Sequence, residues 1–230
     1  MTDLTLYADP ITVNSLKTKL LLAFVPRENL DVQISPMRLH KGEHLSSAFK
    51  KINHLAKVPV LVDGQNTIIE SNSILIHLSR RAGSELWPAD LLQQSRILSL
   101  LFWQTGTWGG GIAPYFHRKV VLPAWGIRDK SILSDDRLNV FYQALQDLEH
   151  MLAGNLTLLG EVLSLADISF GAYFLFHNEA QLDLTGFPSI QLWLSHLESK
   201  PAWQQVYTEC LPLITNTAPF PFNDNIHAYT

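Results

Sequence analysis

Thr12, Asn14 and Ser15 stand close together in the run YADPITVNSLKTKLLL, where an extended segment gives way to a helical pattern. A helix opening presents unpaired N–H groups and partial positive charge, so an anion placed there is stabilised. A thiol of pKa near 8.5 is only a few per cent ionised at neutral pH, and lowering that pKa by about two units needs about 2.7 kcal/mol. One hydroxyl donating to the sulfur contributes about 1.5–3 kcal/mol. These three side chains therefore suit the stabilisation of a thiolate, and the same spacing also suits plain capping of the helix by Asn14 or Ser15. The only cysteine of the chain is Cys210, so a sulfur at this point would be borrowed from a small molecule.

A second constellation comprises Lys57-Val58-Pro59 and, further on, Glu70-Ser71-Asn72. Pro59 cannot donate to a β-ladder, so a tight turn or cis peptide is expected before it, leaving the N–H and C=O of Val58 free to pair with an extended peptide. Ser71 at a helix start could hold a carboxylate through its hydroxyl and amide, or could simply be the N-cap. Gly106 and Gly109 to Gly111 interrupt the helical run WQTGTWGGGIAPYF, each costing about 1 kcal/mol against alanine, which suggests close backbone approach or a kink.

The elements that must carry these residues follow from periodicity. Leu4 and Leu6 alternate with Thr5 and Tyr7 as a first strand, and Ser15 to Val25 reads as a helix stopped by Pro26. Val32 and Ile34 suggest a second strand, and Ser46 to Ile52 a short helix in an exposed loop. VPVLVDGQNTIIES is two strands about an Asp63-Gly64 turn, with a helix over Asn72 to Arg81. AGSELWPAD reads as a linker. Beyond it, helical periodicity recurs over Leu91 to Phe116, Asp136 to Leu152, Leu165 to His177 and Ser189 to Tyr207. The expected fold is α/β plus all-α: residues 1–81, a helical domain over 90–210, and a tail, 211–230, without regular structure.

With 47% hydrophobic and 17% charged residues in 230, the chain has the composition of a globular protein. Its net charge of −4 offers no basic field, so no nucleic-acid partner is expected. Residues 1–10 lack a basic and apolar leader pattern, and no apolar run reaches the roughly 18–20 residues of a membrane span. A lone cysteine suits a reducing, cytoplasmic setting. The nine histidines show no paired-ligand spacing, so no metal is expected.

The run LHKGEHLSSAFKKINHLAKVPVLVDGQNTIIESNSILIHL resembles the glutathione-binding half of a glutathione transferase in its KGEH loop, its KVPVL strand and its ESxxI helix start. Ser164-Leu165-Ala166-Asp167-Ile168 is similar to the family's capping box. The resemblance extends over about the first 210 residues and is strongest over 39–81. It implies a thioredoxin-like N-terminal domain and a co-substrate, glutathione, in place of any cofactor. It implies that Lys57 and His44 meet the glycine carboxylate, that Val58, before Pro59, pairs with the cysteinyl backbone, and that Glu70 and Ser71 take the γ-glutamyl end. Thr12 falls where theta-like and many bacterial members place a catalytic serine, and Thr12-Val13-Asn14 is similar to the Thr-x-Asn of nu-class enzymes. No cysteine lies near this loop, so a mixed-disulfide route on the protein is excluded, and Tyr7 reads as a strand residue. Trp103, Trp108, Tyr115 and Phe116 are candidates for the wall of an apolar second-substrate pocket, or for core packing. The expected activity is attack of the glutathione thiolate on a small apolar electrophile, in a homodimer. Glutathione-dependent disulfide reduction and non-catalytic ligand binding are the alternatives.

Overall fold

The computed structural model describes residues 4–215 apart from 27, 29 and 130–133. Strand β1 (Leu4–Ala8) buries Leu4, Leu6 and Ala8 by strict alternation. Helix α1 (Val13–Phe24) opens two residues earlier than the apolar spacing indicated, with Thr12 at its N-cap position. β2 (Gln33–Pro36) is an edge strand, and Ile34 on it is 50% exposed. α2 (Ser47–Ile52) begins where the Ser46 hydroxyl accepts the Phe49 N–H. β3 (Val60–Asp63) and β4 (Asn66–Ile68) form the expected hairpin, and α3 (Ser71–Arg81) closes the unit. The sheet order is β2-β1-β3-β4, with β1 parallel to β2 and antiparallel to β3, so β1 lies at its centre. This mixed sheet with α1 and α3 packed together is the thioredoxin-like arrangement.

Past Arg81 the regular elements among the described residues are helices, joined by turns and loops, apart from an isolated bridge between Thr157 and Gly160. α4 (Leu91–Trp103) starts at Asp90, whose carboxylate accepts the Gln93 N–H. The expected continuous helix to Phe116 is instead broken by a π-helical turn over Gln104–Trp108, and α5 (Gly109–Phe116) runs into a second one over His117–Val121 before the short α6 (Leu122–Ala124). Gly109 explains the first break, because a Cβ there would lie 2.7 Å from the Gln104 carbonyl. Gly111 lets α5 approach α7 (Asp135–Leu152) so closely that a Cβ would meet Ala144 and Val140 at 3.0 Å.

α8 (Leu165–Gly171) stops six residues before His177, the expected end, because the backbone tightens to three-residue hydrogen bonds such as Phe174 N–H to Gly171 C=O. Asp167 fixes its start: the Ser164 N–H and hydroxyl donate to one carboxylate oxygen, and the Leu158 N–H and Trp193 indole to the other. The run from Ser189 to Tyr207 is split into α9 (Pro188–Glu198) and α10 (Pro201–Thr215), with a proline opening each. Residues 211–215, expected in an irregular tail, complete α10; 216–230 lie outside the described residues. α1 packs on α3, α8 and α10, so one apolar core runs from Leu4 through Leu16 to Trp203. Among the described residues no helix is long and apolar enough to cross a membrane.

Candidate functional site

The opening of α1 is shaped by Asp9, a residue the spacing did not single out. Its buried carboxylate accepts the Ile11 and Thr12 N–H groups at 3.0 Å each and the Leu39 N–H at 3.3 Å. Burial pushes its pKa up, and those N–H donors oppose the rise. The Asp9 N–H in turn donates to Ser15 Oγ at 3.0 Å, and Thr12 Oγ1 lies 3.1 Å from the same oxygen. Neither Asn14 nor Ser15 is the N-cap: both lie within α1, the Ser15 hydroxyl being tied back to Asp9, and Asn14 exposed and turned toward Ser71, whose hydroxyl donates to its Oδ1 at 3.3 Å. The signal for Asp9 was an acid before Pro10 at a strand end, a common turn-former.

Val58-Pro59 is a cis peptide. The approach to it is held by Asn53, which donates to the Lys57 carbonyl at 2.8 Å and accepts the Leu55 N–H. Glu70 has φ of +68° just before α3, a conformation that costs a non-glycine residue about 1–3 kcal/mol and persists where the surroundings enforce it. Ser71 is therefore the first residue of α3, not its N-cap. Lys57, Val58, Pro59, Glu70 and Ser71 all line one small cleft of about 110 Å3, together with Asn14 and Asn53.

A wider cleft of about 390 Å3 adjoins it, sharing Asn14, Lys57 and Val58 and adding Thr12 and His44. His44 is buried, and that burial, with Lys50 nearby, pulls its pKa below the usual histidine value. The far wall is Ala113, Phe116, His117, Val121, Trp125 and Tyr173. Of the four expected pocket residues only Phe116 lies there. Trp108 is in the core, 2% exposed, its indole donating to the Ala144 carbonyl and its ring 4.6 Å from Phe170. Trp103 stacks on Phe170, and Tyr115 stacks on Phe141 with its hydroxyl on the Ala180 carbonyl. The π turn at Gln104–Trp108 shifts the register between α4 and α5; Phe116 lines the cleft, while Trp103, Trp108 and Tyr115 take the packing role that was the other expectation for them.

Two family models fit this chain: Glutathione S-transferase, N-terminal domain, over residues 2–80, and Glutathione S-transferase, C-terminal domain, over 112–201. The chain belongs to the glutathione S-transferase superfamily. Within that superfamily it is 32% identical over 148 residues to glutathione S-transferase theta-2 of Rattus norvegicus, covering 63% of this chain and 61% of that protein. It is 28% identical over 205 residues to glutathione S-transferase theta-1 of Homo sapiens, covering 86% and 84%. The solved apo structure of human glutathione S-transferase T1-1 superposes with a TM-score of 0.79 at 27% identity, covering 96% and 93%. A human theta-class enzyme solved with the glutathione conjugate of 1-menaphthyl sulfate gives 0.78 at 25% identity, covering 94% and 90%. The smaller cleft is lined by the polar side chains of Asn14, Asn53, Lys57, Glu70 and Ser71, the larger by a mostly apolar wall.

Proposed function

We propose that this chain is a glutathione transferase that activates the glutathione thiol for attack on a small apolar electrophile. The observation that carries this reading is the meeting of the two clefts at Asn14, Lys57 and Val58, with Thr12 on the rim. Glutathione lies extended along the smaller cleft. Glu70 and Ser71 hold its γ-glutamyl end, Val58 pairs with its cysteinyl backbone, and Lys57 and His44 meet its glycine carboxylate. Its sulfur then faces the opening of α1. In the free protein the Thr12 hydroxyl donates to Ser15 Oγ, whose position is fixed by the Asp9 N–H; on glutathione binding the Thr12 proton turns to the sulfur, and Ser15 can then donate its own proton to Thr12 Oγ1. The thiol proton leaves to solvent, the thiolate forms a C–S bond with the electrophile against Phe116 and Trp125, and the leaving group departs with its electron pair. Residues 1–81 act as the glutathione-binding domain and 90–210 supply the second-substrate wall, in a cytoplasmic homodimer.

The test is conjugation of glutathione to a panel of alkyl and aryl halides, run beside reduction of a small disulfide. Conjugation at rates above the uncatalysed reaction is the expected result. Turnover of the disulfide alone would move the chain to a reductase, and tight glutathione binding without turnover of either would make it a binder.

A further inference from the structure

Lys17 lies on α1 yet is 0% exposed. Its Nζ donates to Gln104 Oε1 at 2.9 Å and to Ser71 Oγ at 3.5 Å, and sits 5.4 Å from the centre of the Tyr173 ring. The groups that hydrogen-bond around it are neutral, with the Glu70 carboxylate acting on it only through space: Asn72 Nδ2 and Ser169 Oγ each reach Gln104 Oε1 at 3.1 Å, Ser169 also meets Asn72 Oδ1 at 2.8 Å, and the Gln104 amide donates to the Tyr173 hydroxyl at 2.8 Å. Among the described residues no carboxylate pairs with this ammonium, an unusual state for a buried charge. The side chain through which it reaches the surface is Ser71, which lines the smaller cleft.

We infer that Lys17 is the positioning residue for the γ-glutamyl end of glutathione, a cation set behind Ser71 by Gln104 that makes the head of α3 select a carboxylate. This rests on the glutathione reading above. Lys17 touches no ligand itself; it acts through Ser71, and the incoming carboxylate supplies the missing counter-ion. The same charge makes binding pH-sensitive, since burial pulls the Lys17 pKa from 10.5 to about 7, with the negative charge of Glu70 opposing the fall. The other groups around it leave this titration clear. Burial pushes the Tyr173 hydroxyl well above its usual pKa. On α8, Asp167 is engaged by Ser164, Leu158 and Trp193, and on α10, Glu209 pairs with Lys19 at 3.2 Å.

The experiment compares S-methylglutathione, whose sulfur does not titrate, with the same molecule lacking the γ-glutamyl α-carboxylate, by calorimetry on wild type, Lys17→Met and Lys17→Gln. At pH 6.5 the wild type should prefer the carboxylate-bearing ligand by about tenfold or more, and both variants should lose most of that preference. From pH 6.5 to 8 the wild-type Kd for S-methylglutathione should rise about five- to tenfold as Lys17 loses its proton, while the variants stay flat. Burial pulls the His44 pKa down, away from this window, and the two Lys17 variants, which keep His44, isolate the contribution of Lys17. A variant that folds, by circular dichroism, and keeps the wild-type preference overturns the inference, as does a flat wild-type profile, which needs no variant. Absence of any S-methylglutathione binding by the wild type overturns the glutathione reading itself.

Discussion

Thr12 holds its hydroxyl 3.1 Å from Ser15 at the opening of α1, so its proposed work is a single hydrogen bond to sulfur. Thr12→Ala should raise the pKa of the bound glutathione thiol by about one to two units, and lower the conjugation rate near pH 6.5 about ten- to a hundredfold. Thr12→Ser should restore both. Thiolate absorbance of the complex reads the pKa, and an unchanged value removes Thr12 from the chemistry. Lys17 poses the opposite electrostatic problem. Its pKa is about 7 in the folded chain against 10.5 for the free side chain, so between those values the unfolded chain binds more protons and stability rises with pH. Below pH 7 the whole burial cost is present, about 5 kcal/mol, and it is released as pH climbs through the window to 10.5. Lys17→Met, which leaves Gln104 its Asn72 and Ser169 partners, should therefore stabilise the chain by about 2 kcal/mol or more at pH 6 and by much less at pH 9.5. Urea melts at the two values decide it, and equal gains would mean that Lys17 keeps its proton in the native state across this range, its pKa not lowered by burial.

The joints between elements carry the next level of control. Gly109 and Gly110 are neighbours with opposite surroundings: a Cβ on Gly109 would strike the Gln104 carbonyl at 2.7 Å, while one on Gly110 meets nothing within 4 Å. Gly109→Ala should cost about 1–3 kcal/mol, whereas Gly110→Ala should stabilise by up to about 1 kcal/mol. Thermal melts of the pair would show whether the π turn is held by that contact. What was legible in the sequence and what was not divides along the same line. The hairpin at Asp63-Gly64, the break at Pro59, the short helix after Ser46 and the capping box at Ser164 are local, each decided by residues within a few positions. The split of Leu91 to Phe116 was legible only as the kink or close approach that Gly106 and Gly109 to Gly111 suggested; its π-helical form was not, because plain helical spacing carries no mark of an added residue in a π turn. Lys17 was lost for another reason. A lysine among leucines reads as the solvent face of a helix, and the contacts that bury it come from residues 54 and 87 positions away.

At the scale of the molecule, the larger cleft lies where the loop of His44 and the opening of α1 face α5 and Trp125. Phe116 lines it and Trp103 does not, so Phe116→Ala should raise KM for an apolar electrophile severalfold while leaving KM for glutathione within about twofold. Trp103→Ala should instead lower Tm and spare both constants, because that ring is stacked on Phe170. Reversal of the two outcomes would put the electrophile elsewhere. The smaller cleft was the more legible of the two, since Pro59 marks its own turn and residues 57–59 and 70–71 carry the family resemblance, although the backbone of Glu70 is enforced by its surroundings and not by its type. The far wall depended on how α5 is rotated, and that is set by packing across the whole helical half.

Asp9 ties the opening of α1 to residue 39 through one buried carboxylate. An outward swing of the loop leading to His44 would break the Leu39 bond to the carboxylate that also shapes Thr12, so this side of the cleft is anchored. Ligand arrival should then be one bimolecular collision: in stopped-flow mixing the observed rate should climb in proportion to concentration, and a plateau would reveal a slow rearrangement that the anchored wall forbids.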